Sequence, residues 1–278
     1  YIVKGENADW NKIFFISDFS LYSFDIRTNF FTQIETQKNV TAILYHDNKL
    51  FYAQNNNIFS YDSKSNKRSI YKILPEGTII NTILMADNCL YVGTRSGVVI
   101  SPLNAIWEET NLLFGEDIYR IFRDSRKNLW IGTRMKGLYR IVNGNMEKVP
   151  VCPNGTDGII DPQIREFVED NNGNIWFGTF MGLQEYDFKK NEYRTIKIPK
   201  YAGGLEHPSI FSLYKDRQGI IWAGSYYGGI NYFNSTKSNI VHYDYQIKNR
   251  SEIFYSYIAE MDIDKRNNLW VSTDGGGI

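Results

Sequence analysis

The stretch Asp124-Ser125-Arg126-Lys127-Asn128-Leu129-Trp130-Ile131-Gly132-Thr133 decides the fold, because its pattern returns at Asp170 to Thr179, Asp216 to Ser225 and Asp264 to Thr273. The tryptophans of these copies, Trp130, Trp176, Trp222 and Trp270, stand 46, 46 and 48 residues apart, close to the roughly 40 to 50 residues of one β-propeller blade. Weaker copies come earlier. Leu90-Tyr91-Val92-Gly93-Thr94 keeps the Gly-Thr ending, while Leu50-Phe51-Tyr52-Ala53 and Ile13-Phe14-Phe15-Ile16 keep the apolar triplet. The repeats therefore number seven, centred on Phe14, Phe51, Tyr91, Trp130, Trp176, Trp222 and Trp270.

Each unit reads as four strands. In Pro162 to Ile198 these are Ile164–Glu169, Ile175–Thr179, Leu183–Asp187 and Tyr193–Ile198, separated by Asn171-Asn172-Gly173, Met181-Gly182 and Lys189–Asn191. Asp170 precedes an asparagine-rich turn and can accept hydrogen bonds from its amides. The recurrence of that aspartate is structural, since a catalytic acid is not needed once per repeat. The second strands, such as Leu-Trp-Ile and Ile-Trp-Phe, are continuous apolar triplets, so both faces must be covered, as when blades stack face to face. Gly132, Gly178 and Gly224 follow the triplet where a neighbouring blade comes close, and the tryptophans are expected in the packing between blades. A helical reading of Ile118-x-x-Ile121 or Ile210-x-x-Leu213 fails on length.

The expectation is an all-β chain: one β-propeller domain over residues 1–278, of about seven four-stranded blades, the last lacking its third and fourth strands. Tyr1–Asp9 has room for about one strand at roughly 3.3 Å per residue. Composition agrees, since 15% of residues are aromatic and the 20 tyrosines outnumber the 17 phenylalanines. The 31 basic and 31 acidic side chains cancel, and no basic surface is concentrated for phosphate contact, so nucleic acid is not an expected partner. Two cysteines, Cys89 and Cys152, are too few for a disulfide scaffold. No apolar run approaches the roughly 20 residues that cross a bilayer, so this chain is expected to insert in no membrane. A leader pattern is missing and the chain begins at Tyr1, which reads as a mature or trimmed sequence.

Asp124–Leu138 and Ile221–Phe233 resemble the two-component regulator propeller repeat, closely from Ile118 to Ile278 and through copies without tryptophan from Ile13 to Thr94. The resemblance implies a fragment of the periplasmic sensor region of a hybrid histidine kinase, where two propellers and a tyrosine-rich sandwich domain precede a membrane helix. It implies a place on the periplasmic or extracellular side, neighbouring domains of the same receptor as partners, and an oligosaccharide or other small ligand. Homodimerisation stays open. Kinase segments would lie outside this chain.

Two rival functions remain: a protein-interaction platform and an enzyme similar to streptogramin lyases, which use a histidine with metal-ligating partners at the ring centre. Only His46, His207 and His242 occur, on different elements. No His-x-His, Cys-x-x-Cys, His-Glu-x-x-His or calcium loop is present. No catalytic residue, metal site or cofactor is therefore expected. Gly228-Gly229 and Gly275-Gly276-Gly277 lack the context of a phosphate loop and belong to turns.

Binding residues follow from geometry. In a propeller the turns after the second strand and the connections between blades emerge on one face. There the sequence varies within a constant frame, and Arg134, Phe180, Tyr226, Tyr227 and His207 form the candidate ligand site. Sugar recognition needs flat apolar faces for a ring and fixed polar groups for its hydroxyls. Tyr226 or Tyr227 would stack, Arg134 would orient hydroxyl or carboxylate groups, and His207 would tune affinity with pH.

Overall fold

The computed structural model describes residues 2–4, 12–103, 110–152, 157–196, 207–234, 240–243, 258–264, 266 and 268–273. All regular structure among them is β, in antiparallel sheets whose strands follow chain order. Blade one consists of Ile2–Lys4, Lys12–Ser17, Ser20–Asp25 and Phe30–Glu35, and blade two of Val40–His46, Lys49–Gln54, Asn57–Asp62 and Lys67–Ile73. Blade three has Ile80–Ala86, Cys89–Thr94, Gly97–Pro102 and Thr110–Leu112. Blade four has Ile118–Arg123, Leu129–Thr133, Leu138–Val142 and Asn145–Lys148, and blade five Ile164–Glu169, Ile175–Thr179, Leu183–Asp187 and Glu192–Thr195. Blade six is Ile210–Lys215, Ile220–Ser225, Ile230–Asn234 and Ile240–Tyr243.

The expected seven four-stranded blades are corrected to six. The seventh repeat forms only a two-stranded sheet, Ile258–Ile263 with Leu269–Thr273, among the described residues. Its motif supplies the first and second strands and no more. The segment before Asp9 gives one strand, Ile2–Lys4, which opens blade one.

The chain divides into two compact units, Tyr1–Ile121 with Asp262–Asn268, and Phe122–Met261 with Leu269–Ile278. In the first, one core joins Phe14 and Leu21 of blade one to Ile43, Leu50 and Tyr52 of blade two. Another joins Phe51 and Ile58 of blade two to Ile80, Leu90 and Val92 of blade three. In the second unit, Trp130 and Leu138 pack with Ile164, Phe167 and Phe177, while Trp176 and Leu183 pack with Ile210, Ile221 and Phe233. Each core spans two neighbouring blades, which is why the second strands are apolar on both faces.

Three devices repeat. The aspartate before the second strand accepts turn amides, as Asp170 Oδ1 does from the backbone N–H groups of Asn172 and Asn174 at 2.8 and 2.9 Å. Its other oxygen takes the indole N–H of Trp176, six residues on, which leaves no orphan donor in the buried ring. Second, a Cβ at Gly178 would lie 2.7 Å from Cγ2 of Ile210, and one at Gly132 2.9 Å from Ile164, so glycine admits the first residue of the next blade. Third, the hydroxyl ending the second strand donates to the glycine that opens the third: Thr94 to Gly97, Thr133 to Gly137, Thr179 to Gly182 and Ser225 to Gly229.

The tryptophans occupy equivalent second strands. Trp130 faces Tyr186 and Phe188 of the next blade, and Trp176 lies 4.8 Å from Phe233 of the next. Trp222 differs, being half-buried beside Tyr232 of its own blade. Cys89 and Cys152 are both free thiols.

Candidate functional site

The second unit carries the predicted residues on its turns and connections. Tyr226 and Tyr227 fill the turn between the second and third strands of blade six, closed by Ser225 Oγ donating to the Gly229 carbonyl at 3.1 Å. Tyr227 takes the left-handed region with φ at 61° and is exposed, a conformation uncommon for a bulky residue. The two rings meet edge to face at 4.0 Å, and the Tyr226 hydroxyl donates to that of Tyr227 at 3.2 Å. A Cβ at Gly228 would fall 2.8 Å from His207 Cβ, so this glycine serves close approach and brings the connection against the turn.

His207 lies 6.0 Å from the Tyr226 ring, and its Nδ1 accepts the backbone N–H of Ser209 at 3.2 Å. Burial holds its pKa below the ordinary imidazole value. The Tyr226 backbone N–H donates to the Ser209 carbonyl at 2.8 Å, locking turn and connection together.

Beneath this pair sits a residue the sequence reading missed. Arg165 is buried, its guanidinium 3.8 Å from the Phe211 ring centre and 5.1 Å from that of Phe180. Its Nη1 donates to Ser209 Oγ at 2.6 Å and its Nη2 to Gln163 Oε1 at 3.4 Å. Phe211 in turn stacks on Tyr226 at 5.8 Å with 29° between the planes. Arg165 and Phe211 are the extra residues of β-bulges, between Ile164 and Glu166 and between Ile210 and Ser212. A bulge re-aims a side chain out of the alternation. Thr41 and Asn81 hold the same position in blades two and three. The available signal was the residue after the opening Ile or Val of each unit, which changes type while its neighbours stay apolar.

The structure thus joins Phe180, Tyr226, Tyr227 and His207 through Arg165 and Phe211. Arg134 stands exposed on the equivalent turn of blade four, next to Met135, whose sulfur accepts Gln163 Nε2 at 3.3 Å. Met135, Phe180, Met181 and Tyr227 leave large apolar side chains in water on three successive turns. Flat rings beside a fixed guanidinium and hydroxyls can hold a polar ring-shaped molecule. Among the described residues no three His, Cys, Asp or Glu side chains converge to hold a metal. His46 ends the first strand of blade two beside Asp47, and His242 lies in the fourth strand of blade six.

Comparison with known proteins bears on this arrangement. Residues 112–135, 158–181 and 204–227 match the model of the two component regulator propeller. Those three segments carry the repeat that this model describes. The extracellular domain of the hybrid two component system BT4673 from B. thetaiotaomicron superposes with a TM-score of 0.81 at 20% identity, over 99% of this chain and 37% of that one. The extracellular domain of BT3049, a hybrid two component system of the same organism, gives 0.65 at 18% identity, over 96% and 43%. Virginiamycin B lyase from Staphylococcus aureus gives 0.71 at 14% identity, over 98% and 95%. These likenesses establish the β-propeller fold, and the chain spans less than half the length of those two extracellular domains. No curated protein matches it. The second and third matched segments hold Gln163, Arg165, Phe180, His207, Ser209, Phe211, Tyr226 and Tyr227, the whole aromatic and guanidinium cluster.

Proposed function

We propose that this chain is a ligand-sensing, non-catalytic propeller on the periplasmic or extracellular side of a two-component signalling receptor, and that its ligand is an oligosaccharide. The observation that carries the reading is the cluster in which Arg165 anchors Phe180 and Phe211 under Tyr226, inside segments that match the regulator repeat. Tyr226 and Tyr227 stack on a sugar ring, Arg134 orients its hydroxyl or carboxylate groups, and His207 supplies a polar edge. Neighbouring domains of the same receptor would read the bound state. Calorimetric titration of candidate oligosaccharides into wild type and a Tyr226→Ala, Tyr227→Ala double variant of unchanged fold tests it. Unchanged affinity in the variant moves the site off this face. Met135 and Met181 beside the rings favour a second reading, a protein-interaction platform, because flexible thioethers suit adaptable protein contacts. Binding of a partner protein with no binding of any sugar would select it.

A further inference from the structure

Away from these turns, the second unit holds a cleft of about 290 Å³ between the outer strands of blades four and five. From its geometry we infer that this cleft is a second small-molecule site, which takes a single neutral pyranose ring. Its size sits at the lower end of ligand pockets, roughly 300 Å³, enough for one ring.

The floor is aromatic and rigid. Tyr186 is buried and meets Tyr193 at 4.9 Å, and Arg140 lies over Tyr186 at 4.7 Å and over Trp130 at 5.3 Å. Glu147 pairs with Arg140 and fixes its fork, while the Tyr186 hydroxyl donates to Asn191. Burial pushes the Tyr193 phenol far up, so it remains a protonated, neutral donor. Val149 and Pro150 add apolar wall on the blade-four side.

The rim mixes signs. Lys148 brings a donor, and Asp157 and Glu192 bring acceptors. Asp157 sits in a connection tied to blade five, since Gln184 accepts the Ile160 N–H at 2.8 Å and donates to the Gly158 carbonyl at 3.3 Å. A pyranose offers an apolar C–H face for the half-buried Tyr193 ring and hydroxyls that both donate and accept, which suits this rim better than a molecule of one charge. None of these residues belongs to the turn cluster, so the site stands whether or not that cluster binds a ligand.

Saturation-transfer NMR with methyl β-D-glucopyranoside and methyl β-D-galactopyranoside tests the inference, with free glutamate and lysine as controls. At least one glycoside should bind wild type with a dissociation constant of about 1 mM. Glu192→Ala combined with Tyr193→Phe, which keeps the ring packing, should weaken that binding about tenfold at an unchanged melting temperature. The Tyr226→Ala, Tyr227→Ala variant should bind the glycoside as wild type does. Binding of neither glycoside, equal affinity in the cleft variant, loss in the turn variant, or binding of the amino acids in place of sugars would each overturn it.

Discussion

The indole Nε1 of Trp176 donates to Oδ2 of Asp170 at 3.1 Å, and the same bond joins Trp130 to Asp124 at 2.9 Å and Trp222 to Asp216 at 3.0 Å. One carboxylate thus closes the turn and satisfies the ring that fills the seam between blades. Asp170→Ala strips three donors at once, with the indole and the Asn174 amide in buried surroundings, and should cost about 2 to 4 kcal/mol. Urea unfolding followed by tryptophan emission measures it. A loss under about 0.5 kcal/mol would show that the turn holds without its acid.

Emptying the tryptophan sites should grade with burial. Trp130 and Trp176 are 0% and 2% exposed, so alanine at either should cost about 3 to 5 kcal/mol. Trp222→Ala should cost less, since that ring is half-buried. Equal losses at Trp176 and Trp222 would break the link between seam packing and stability.

Gly178→Ala should destabilise by about 1 to 3 kcal/mol, because the new methyl must displace the Ile210 side chain and backbone nearby. The double change Gly178→Ala with Ile210→Ala should recover part of that loss, and a double-mutant cycle reads the coupling. Strictly additive losses would contradict the close approach.

His207 gives a pH dependence of known sign. Its folded pKa lies below the unfolded value of about 6.5, so the unfolded chain takes up the proton first. This contribution to stability is complete above pH 6.5 and is lost as pH falls through the folded midpoint. Imidazole proton shifts should titrate below 6.5 in wild type and nearer 6.5 in Tyr226→Ala, which opens the ring to water. A wild-type midpoint at or above 6.5 would refute the burial effect.

How much of this was legible depended on periodicity. Asp170, Trp176 and Gly178 recur at fixed spacing, so their roles could be reasoned from one unit and checked against the others. Strands Ile164–Glu169, Ile175–Thr179 and Leu183–Asp187 match the reading residue for residue. The blade count did not survive, because it was taken from second strands and the seventh motif, Asp264 to Thr273, supplies two strands among the described residues. Arg165 was missed for a different reason. A bulge inserts one residue without altering the repeat length, so alternation assigns that side chain to a sheet face when the backbone turns it out. Phe180, Tyr226, Tyr227 and His207 were singled out because they interrupt a constant frame. The changing residue after the opening Ile or Val hinted at Arg165, but only the bulge shows that its guanidinium lies between those rings.

The hydroxyl latch at the end of the second strands of blades three to six closes turns of two lengths. Two residues separate Thr179 from Gly182, and three separate Ser225 from Gly229, yet each pair is joined by hydrogen bonds from both the hydroxyl and the backbone N–H. What lies between can therefore differ in length and side chains without breaking the bonds that close the turn. Each turn is nonetheless fitted to its own surroundings: Phe180 lies over Arg165, and Tyr226 is held by Ser209 and Phe211. One latch thus carries turns of different length and content from blade to blade.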